Sequence, residues 1–306
     1  MRIDYLNDFQ NLFFDIDSDK NDNILKIVKQ SEFVLSSVIY KFGEIVNEIS
    51  NGISVEGKLN DIIVCLFVRK FMEQLDAINI LMRKGSFAPA QILLRTYIEN
   101  IVSLKFILKD DTDRRAASYW LEHHFQEISM WTNNLENIEE KMIATGDVEK
   151  FEKKKAALQR IVDSNDLYKE IANSREKKLE KKPPKRKYIQ WYEVCSNVSS
   201  FKKMMTDVGM EKYYESIYGG LSFESHSFNS TMDISVSNEN FNLNPIRKPV
   251  EGETLLSLAC IFSMSVLIDV YSYLGDKENE KEEFRQYFLE FKEKRTIAEN
   301  NLNKIH

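Results

Sequence analysis

The sequence predicts an all-α fold, a bundle of long antiparallel helices, and three observations point there. The 306 residues include only 10 Gly and 5 Pro, against usual levels of about 7% and 5%. Sheets, barrels and Gly-rich nucleotide folds need those residues for their tight turns. Apolar residues recur three and four apart through most of the chain, the spacing of one helix face. Hydrophobic residues make up 43% of the chain, enough to fill a substantial core.

Residues 22–49 carry Ile24, Leu25, Ile27, Val28, Phe33, Val34, Val38, Phe42 and Ile45 at helical spacing, with Gly52 as the stop. Residues 59–84 form a second helix ended by Gly85, at the position where a C-cap favours glycine. Pro89 suits the first turn of a third, running to Lys109. The short Gly85-Ser86 connection makes these two helices antiparallel neighbours. Asp111 N-caps a fourth through Trp120, Trp131 and Ile138, with Gly146 as its stop. Residues 147–180 stay helical but turn polar. Their thin stripe of Phe151, Ala157, Leu158, Ile161, Leu167 and Ile171 is the pattern of a protruding lysine-rich helix or hairpin.

Residues 175–187 hold eight basic and two acidic side chains around Pro183-Pro184, which break any helix. Short helical pieces follow around Trp191, Met204 and 212–218. Residues 230–250 are irregular, with Met232, Ile234 and Val236 alternating as in a short strand. The apolar run 255–274 and an amphipathic helix over 278–301 close the chain. The organisation expected is an N-terminal bundle portion (1–146), a polar helical protrusion with its basic linker (147–187) and a portion completing the same bundle (188–306).

With 42 basic against 48 acidic residues and a net charge of −6, the chain does not read as a coat for nucleic acid, although a local basic patch stays open. Cys65, Cys195 and Cys260 are odd in number and far apart, which excludes a disulfide framework or a Cys-rich zinc site and fits a reducing, cytoplasmic setting. The opening Met1-Arg2-Ile3-Asp4-Tyr5 lacks the apolar core of a signal peptide. The run 255–274 is long enough to span a bilayer, but Asp269, four serines and the preceding Glu251 and Glu253 make it read as a buried core helix, with no membrane partner.

No Gly-x-x-x-x-Gly-Lys, Gly-x-Ser-x-Gly or His-Glu-x-x-His is present, and no cofactor or metal is expected. His123 and Glu127 share a helix face at zinc-ligand spacing but read as an exposed face. Arg95 and Glu99, four apart on the third helix, lie beside Ile92, Val102 and Phe106 on a segment apolar on most sides. A charge there is costly unless paired. The two read either as an ion pair locking helices together or as the lining of a polar pocket, where arginine suits an oxyanion.

Gly219-Gly220 predicts a bend or a close backbone approach. If helix resumes beyond it, Ser222 and His226 share a face at the spacing of a hydroxyl–imidazole hydrogen bond; a packed or capping histidine is the plainer alternative. Lys181, Lys182, Lys185, Arg186 and Lys187 read either as a solvated linker or as a contact for RNA, DNA or another polyanion.

The apolar helix with Ala90, Arg95 and Glu99 in the pattern A-x-x-x-x-R-x-x-x-E is followed far downstream by Tyr218, Leu221, Ser222 and His226 in the pattern Y-x-x-L-S-x-x-x-H. In their order and helical setting these resemble the bacterial domain-of-unknown-function family 5677, over roughly 59–274. The lysine-rich stretch between the motifs departs from it. The resemblance implies an all-helical protein without settled activity, whose relatives sometimes look like parts of phage-defence or toxin loci. A wider analogy is to HEPN-type helical ribonucleases, whose closely spaced Arg and His on one helix this chain lacks.

The function expected is therefore a defence or toxin-type protein that acts on RNA or a nucleotide through a metal-independent pocket. Arg95 would hold an oxyanion, Glu99 would position Arg95, His226 would be the acid or base, and Ser222 would orient it. Tyr218 would contribute to ligand binding. The alternative is a non-enzymatic sensor or adaptor in which Arg95, Glu99 and His226 form a structural network, and the basic linker or last helix meets a protein partner or a second copy of the chain.

Overall fold

The computed structural model describes residues 22–52, 58–136, 145–183, 188–225, 234–237, 240–243, 252–275 and 278–303. The fold is all-α, with one short hairpin. Its helices are α1 (Asp22–Gly52), α2 (Leu59–Arg83), α3 (Phe87–Lys109), α4 (Thr112–Glu136), α5 (Thr145–Asp163), α6 (Asp166–Glu180), α7 (Trp191–Cys195), α8 (Phe201–Asp207), a π-helical run (Tyr214–Gly219), α9 (Gly220–Ser225), α10 (Gly252–Leu274) and α11 (Glu278–Asn303). Between α9 and α10, β1 (Ile234–Ser237) pairs antiparallel with β2 (Asn240–Leu243), Ile234 facing Leu243.

The helix ends follow from local chemistry. Gly85 adopts φ 67°; its amide donates to Met82 O (2.9 Å) and that of Ser86 to Leu81 O (2.8 Å), which satisfies the last carbonyls of α2 as a left-handed C-terminal residue does. Gly209, at φ 74°, closes α8 in the same way. Asp111 caps α4 by accepting from the Arg114 amide at 3.4 Å. Gly146, expected to stop the fourth helix, instead lies in the first turn of α5. First-turn amides lack intrahelical partners in any case, so glycine is tolerated there. Ile138 and Met232 lie outside the described residues.

The chain divides into two compact units, one drawn from Met1–Ser54, Val64–Lys105 and Lys212–His306, the other from Val55–Ile63 and Phe106–Glu211. In the first, Phe42 meets Phe71, Ser36 meets Asn79 and Glu32 meets Arg83, so α1 and α2 run antiparallel. Phe71 and Tyr97 touch edge to face at 5.6 Å although each stands more than three turns from Gly85, which makes α2 and α3 an antiparallel pair. Partners on α3 and α10 rise together: Tyr97 with Ser263 at 2.7 Å, Lys105 with Asp269 at 2.5 Å. Those two helices are parallel, and the long chain between them supplies the return.

Helix α10 is long and apolar enough to cross a bilayer by length and composition, and 61% of its most apolar window is buried inside the protein. Its start is tightly seated. A Cβ on Gly252 would come within 3.0 Å of Ile27 Cγ2 and of two ring carbons of Phe87. Gly252→Val is expected to cost about 1–3 kcal/mol by overpacking, read as a lower urea midpoint. An unchanged midpoint would mean that Ile27 and Phe87 step aside freely.

The second unit has its own core, in which Ala117, Leu121, Leu158, Val162, Ile171 and Val194 are buried together. Of the thin stripe that α5 and α6 carry in the lysine-rich segment, Leu158 and Ile171 enter this core and Leu167 packs against it, whereas Ala157 and Ile161 are exposed and Val162 is buried in their place. Asn165 joins those helices and caps α6, accepting from the Leu167 amide at 2.9 Å. On α4, Glu122 is 3% exposed and accepts from Arg175 Nε at 2.6 Å and Nη2 at 3.3 Å.

Candidate functional site

Arg95 and Glu99 stand one turn apart on α3, their Nε and Oε1 atoms 3.6 Å apart. Tyr218, 123 residues beyond Arg95, completes the group. Arg95 Nη2 donates to the Tyr218 hydroxyl at 2.8 Å, and that hydroxyl donates to Glu99 Oε1 at 2.7 Å. The guanidinium also lies 4.7 Å from the centre of the Tyr218 ring, a cation–π arrangement. Tyr214 stacks on Tyr218, centroids 5.5 Å apart.

Tyr218 belongs to the π-helical run, whose wider turn shifts every later side chain around the axis relative to an α-helix; such insertions concentrate at functional sites. The bend expected at Gly219-Gly220 is absent. Gly219 ends the π-helical run and Gly220 is right-handed helical, φ −58° and ψ −49°, so the chain passes directly into α9. Space does not demand glycine at Gly220 either, where a Cβ would meet nothing within 4 Å. These two residues lower local helix stability rather than turn the chain.

The side chains of Arg95 and Glu99 keep 21% and 36% exposure. They sit at the open edge of the apolar helix, which limits the desolvation cost of the charges. Burial, and next the Glu99 carboxylate, push the Tyr218 hydroxyl up to about 12, with Arg95 opposing. At neutral pH it is a fixed proton donor, neither nucleophile nor base. The chemistry at hand is a guanidinium oriented by an aromatic face, a hydroxyl and a carboxylate, a side chain whose planar donors suit an oxyanion.

Of the other expected residues, Ser222 lies half-buried on α9, one turn past Tyr218. His226 lies outside the described residues, and with it the Ser222–His226 pair. Lys181 is exposed at the end of α6, and Lys182 pairs with Glu193 at 2.5 Å. Lys185, Arg186 and Lys187 lie outside the described residues. Glu127 pairs with Lys154 and stands 3.8 Å from His124 Nδ1. No cluster of three or more His, Cys, Asp or Glu that could hold a metal occurs among the described residues.

Among the ion pairs that sequence reasoning missed are Lys105–Asp269 and Glu122–Arg175. For the first a signal existed: each is a charge on a markedly apolar helix, which calls for a partner.

No curated protein and no solved structure matches the chain. Residues 61–243 match the family described as "Family of unknown function (DUF5677)", a span that includes Arg95, Glu99, Tyr218, Ser222 and His226. With well over half of its length inside that match, the chain belongs to this family of unknown function.

Proposed function

We propose that the chain binds a phosphate-bearing ligand, an RNA or a nucleotide, at the Arg95–Glu99–Tyr218 cluster, in a bacterial defence or toxin role and in the cytoplasm. The observation that carries this reading is the fixed, part-exposed guanidinium, held by the Tyr218 hydroxyl and the neighbouring Glu99 carboxylate. Arg95 takes the oxyanion, while Glu99 and Tyr218 keep it aligned. A metal-independent acid–base step by His226, oriented by Ser222, extends the same proposal.

A second reading, a non-enzymatic sensor or adaptor, is favoured by the way the three groups bond to one another, as a structural tie would. Tyr218→Phe separates the two, since it keeps the ring and removes both hydrogen bonds. For a binding site, affinity for a short RNA or a nucleotide falls about tenfold or more, while stability drops by only about 1 kcal/mol. For a tie, unfolding shifts by about 2 kcal/mol or more and binding is unchanged. Arg95→Lys keeps the charge but not the planar fork and is expected to lose binding as well. Loss of RNA cleavage in His226→Ala, with stability retained, tests the catalytic extension.

A further inference from the structure

We propose a second, separate ligand site: the open cavity of about 270 Å³ at the end of α6 takes a phosphate group. Lys178, Lys181 and Lys182 from α6 and its C-terminal end face Glu193, Asn197 and Ser199 across it, so three ammonium groups stand against one carboxylate. Lys178 builds the wall. Its Nζ donates to the carbonyls of Glu193, Val194 and Ser196, which closes the end of α7 and offsets the negative end of that helix. Lys182 holds Glu193, the two side chains 23% and 12% exposed. An ammonium carries three donors, so Lys182 can keep that carboxylate and still face an anion. Lys181 is exposed at the rim, and Lys203 donates to Ser199 Oγ at 3.1 Å, which brings a fourth ammonium to the lip.

The lining selects the ligand class. The volume falls just under the usual range of about 300–1,000 Å³ for small-molecule pockets, which suits a single phosphate better than a base or cofactor. Among the described residues lining the cavity there is no aromatic side chain on which a base would stack. Nor is there an arginine fork of the kind that grips a carboxylate; lysines act as point charges, as at many phosphate sites. The ligand is a phosphate, free or carried on an RNA backbone.

The test is titration of the ¹⁵N-labelled full chain with inorganic phosphate at constant ionic strength. Saturable shifts are expected at the Asn197, Val198 and Ser199 amides, a readout local to this cavity and independent of events at Arg95. Lys181→Gln, a change at an exposed position, is expected to weaken this binding about tenfold, the worth of one charge-assisted hydrogen bond. A second arm uses a short single-stranded RNA. If it moves the same amides and the effect fades steeply with salt, the backbone is the source. If phosphate saturates these amides and RNA leaves them unmoved, the source is a free phosphate. Absence of saturable shifts there with either probe, or equal affinity in Lys181→Gln, overturns the proposal.

Discussion

Replacing Arg175 with alanine is expected to destabilise the protein by about 3–5 kcal/mol, because it strands a charge inside the second unit. Glu122 is 3% exposed, and both of its strong hydrogen bonds come from Arg175. The variant also removes the guanidinium from the face of Phe125, 4.6 Å away. The effect depends on pH in a defined sense. Burial pushes the Glu122 carboxyl up, and Arg175 is the largest group opposing that push. Without it, the folded variant holds a proton on Glu122 at pH values where the unfolded chain has lost its own. A raised folded-state value gives stability that is present below the unfolded carboxyl value, near 4.3, and lost as pH rises through the folded one. Arg175→Ala should therefore regain part of its loss between pH 7 and pH 5, and adding Glu122→Gln should restore part of it at pH 7. Urea unfolding at the two pH values measures both; a loss identical at each would mean that Glu122 stays ionised in the variant.

Phe71→Ala is the second large effect, about 3–5 kcal/mol. Phe71 is fully buried, with ring centroids at 5.7 Å from Phe42, 6.2 Å from Phe67 and 5.6 Å from Tyr97. Its ring is where α1, α2 and α3 come together, so truncation removes the transfer term, leaves a cavity and deletes the aromatic edge contacts. Tyr97→Phe provides the contrast. It deletes only the bond to Ser263, whose hydroxyl keeps its bond to Ala259 O at 2.6 Å, and should cost about 1 kcal/mol. Equal losses in the two variants would place the energy of this region in the hydroxyl pair rather than in ring packing.

The helices were legible because their signals are local. Gly85 announced the end of α2, and the spacing of Arg95 and Glu99 placed them on one face. The hydroxyl that ties them, Tyr218, carried only the weak signal of a shared motif. Its seating depends on a π-helical turn for which the residues Tyr214–Gly219 offer no periodic mark. The two glycines misled for the same reason: glycine permits a bend, but whether the chain bends is decided by what surrounds it. Lys182 shows the limit from the other side. Within a run of eight basic residues it reads as solvated charge, and its pairing with Glu193 arises only once α7 lies against α6. Asp269 was legible as a misfit on an apolar helix, while its partner Lys105 stands 164 residues away, beyond any local pattern.

The parallel course of α3 and α10 sets a timetable for biosynthesis. The chain leaves the first unit after Lys105 and rejoins it at Lys212. At about 5–20 residues per second, the 123 residues from Arg95 to Tyr218 take roughly 6–25 s to emerge. Throughout that interval α3 waits without α10, and Arg95 and Glu99 wait without the hydroxyl that joins them. A nascent or truncated chain ending before Tyr218 therefore carries both charges but not the assembled cluster.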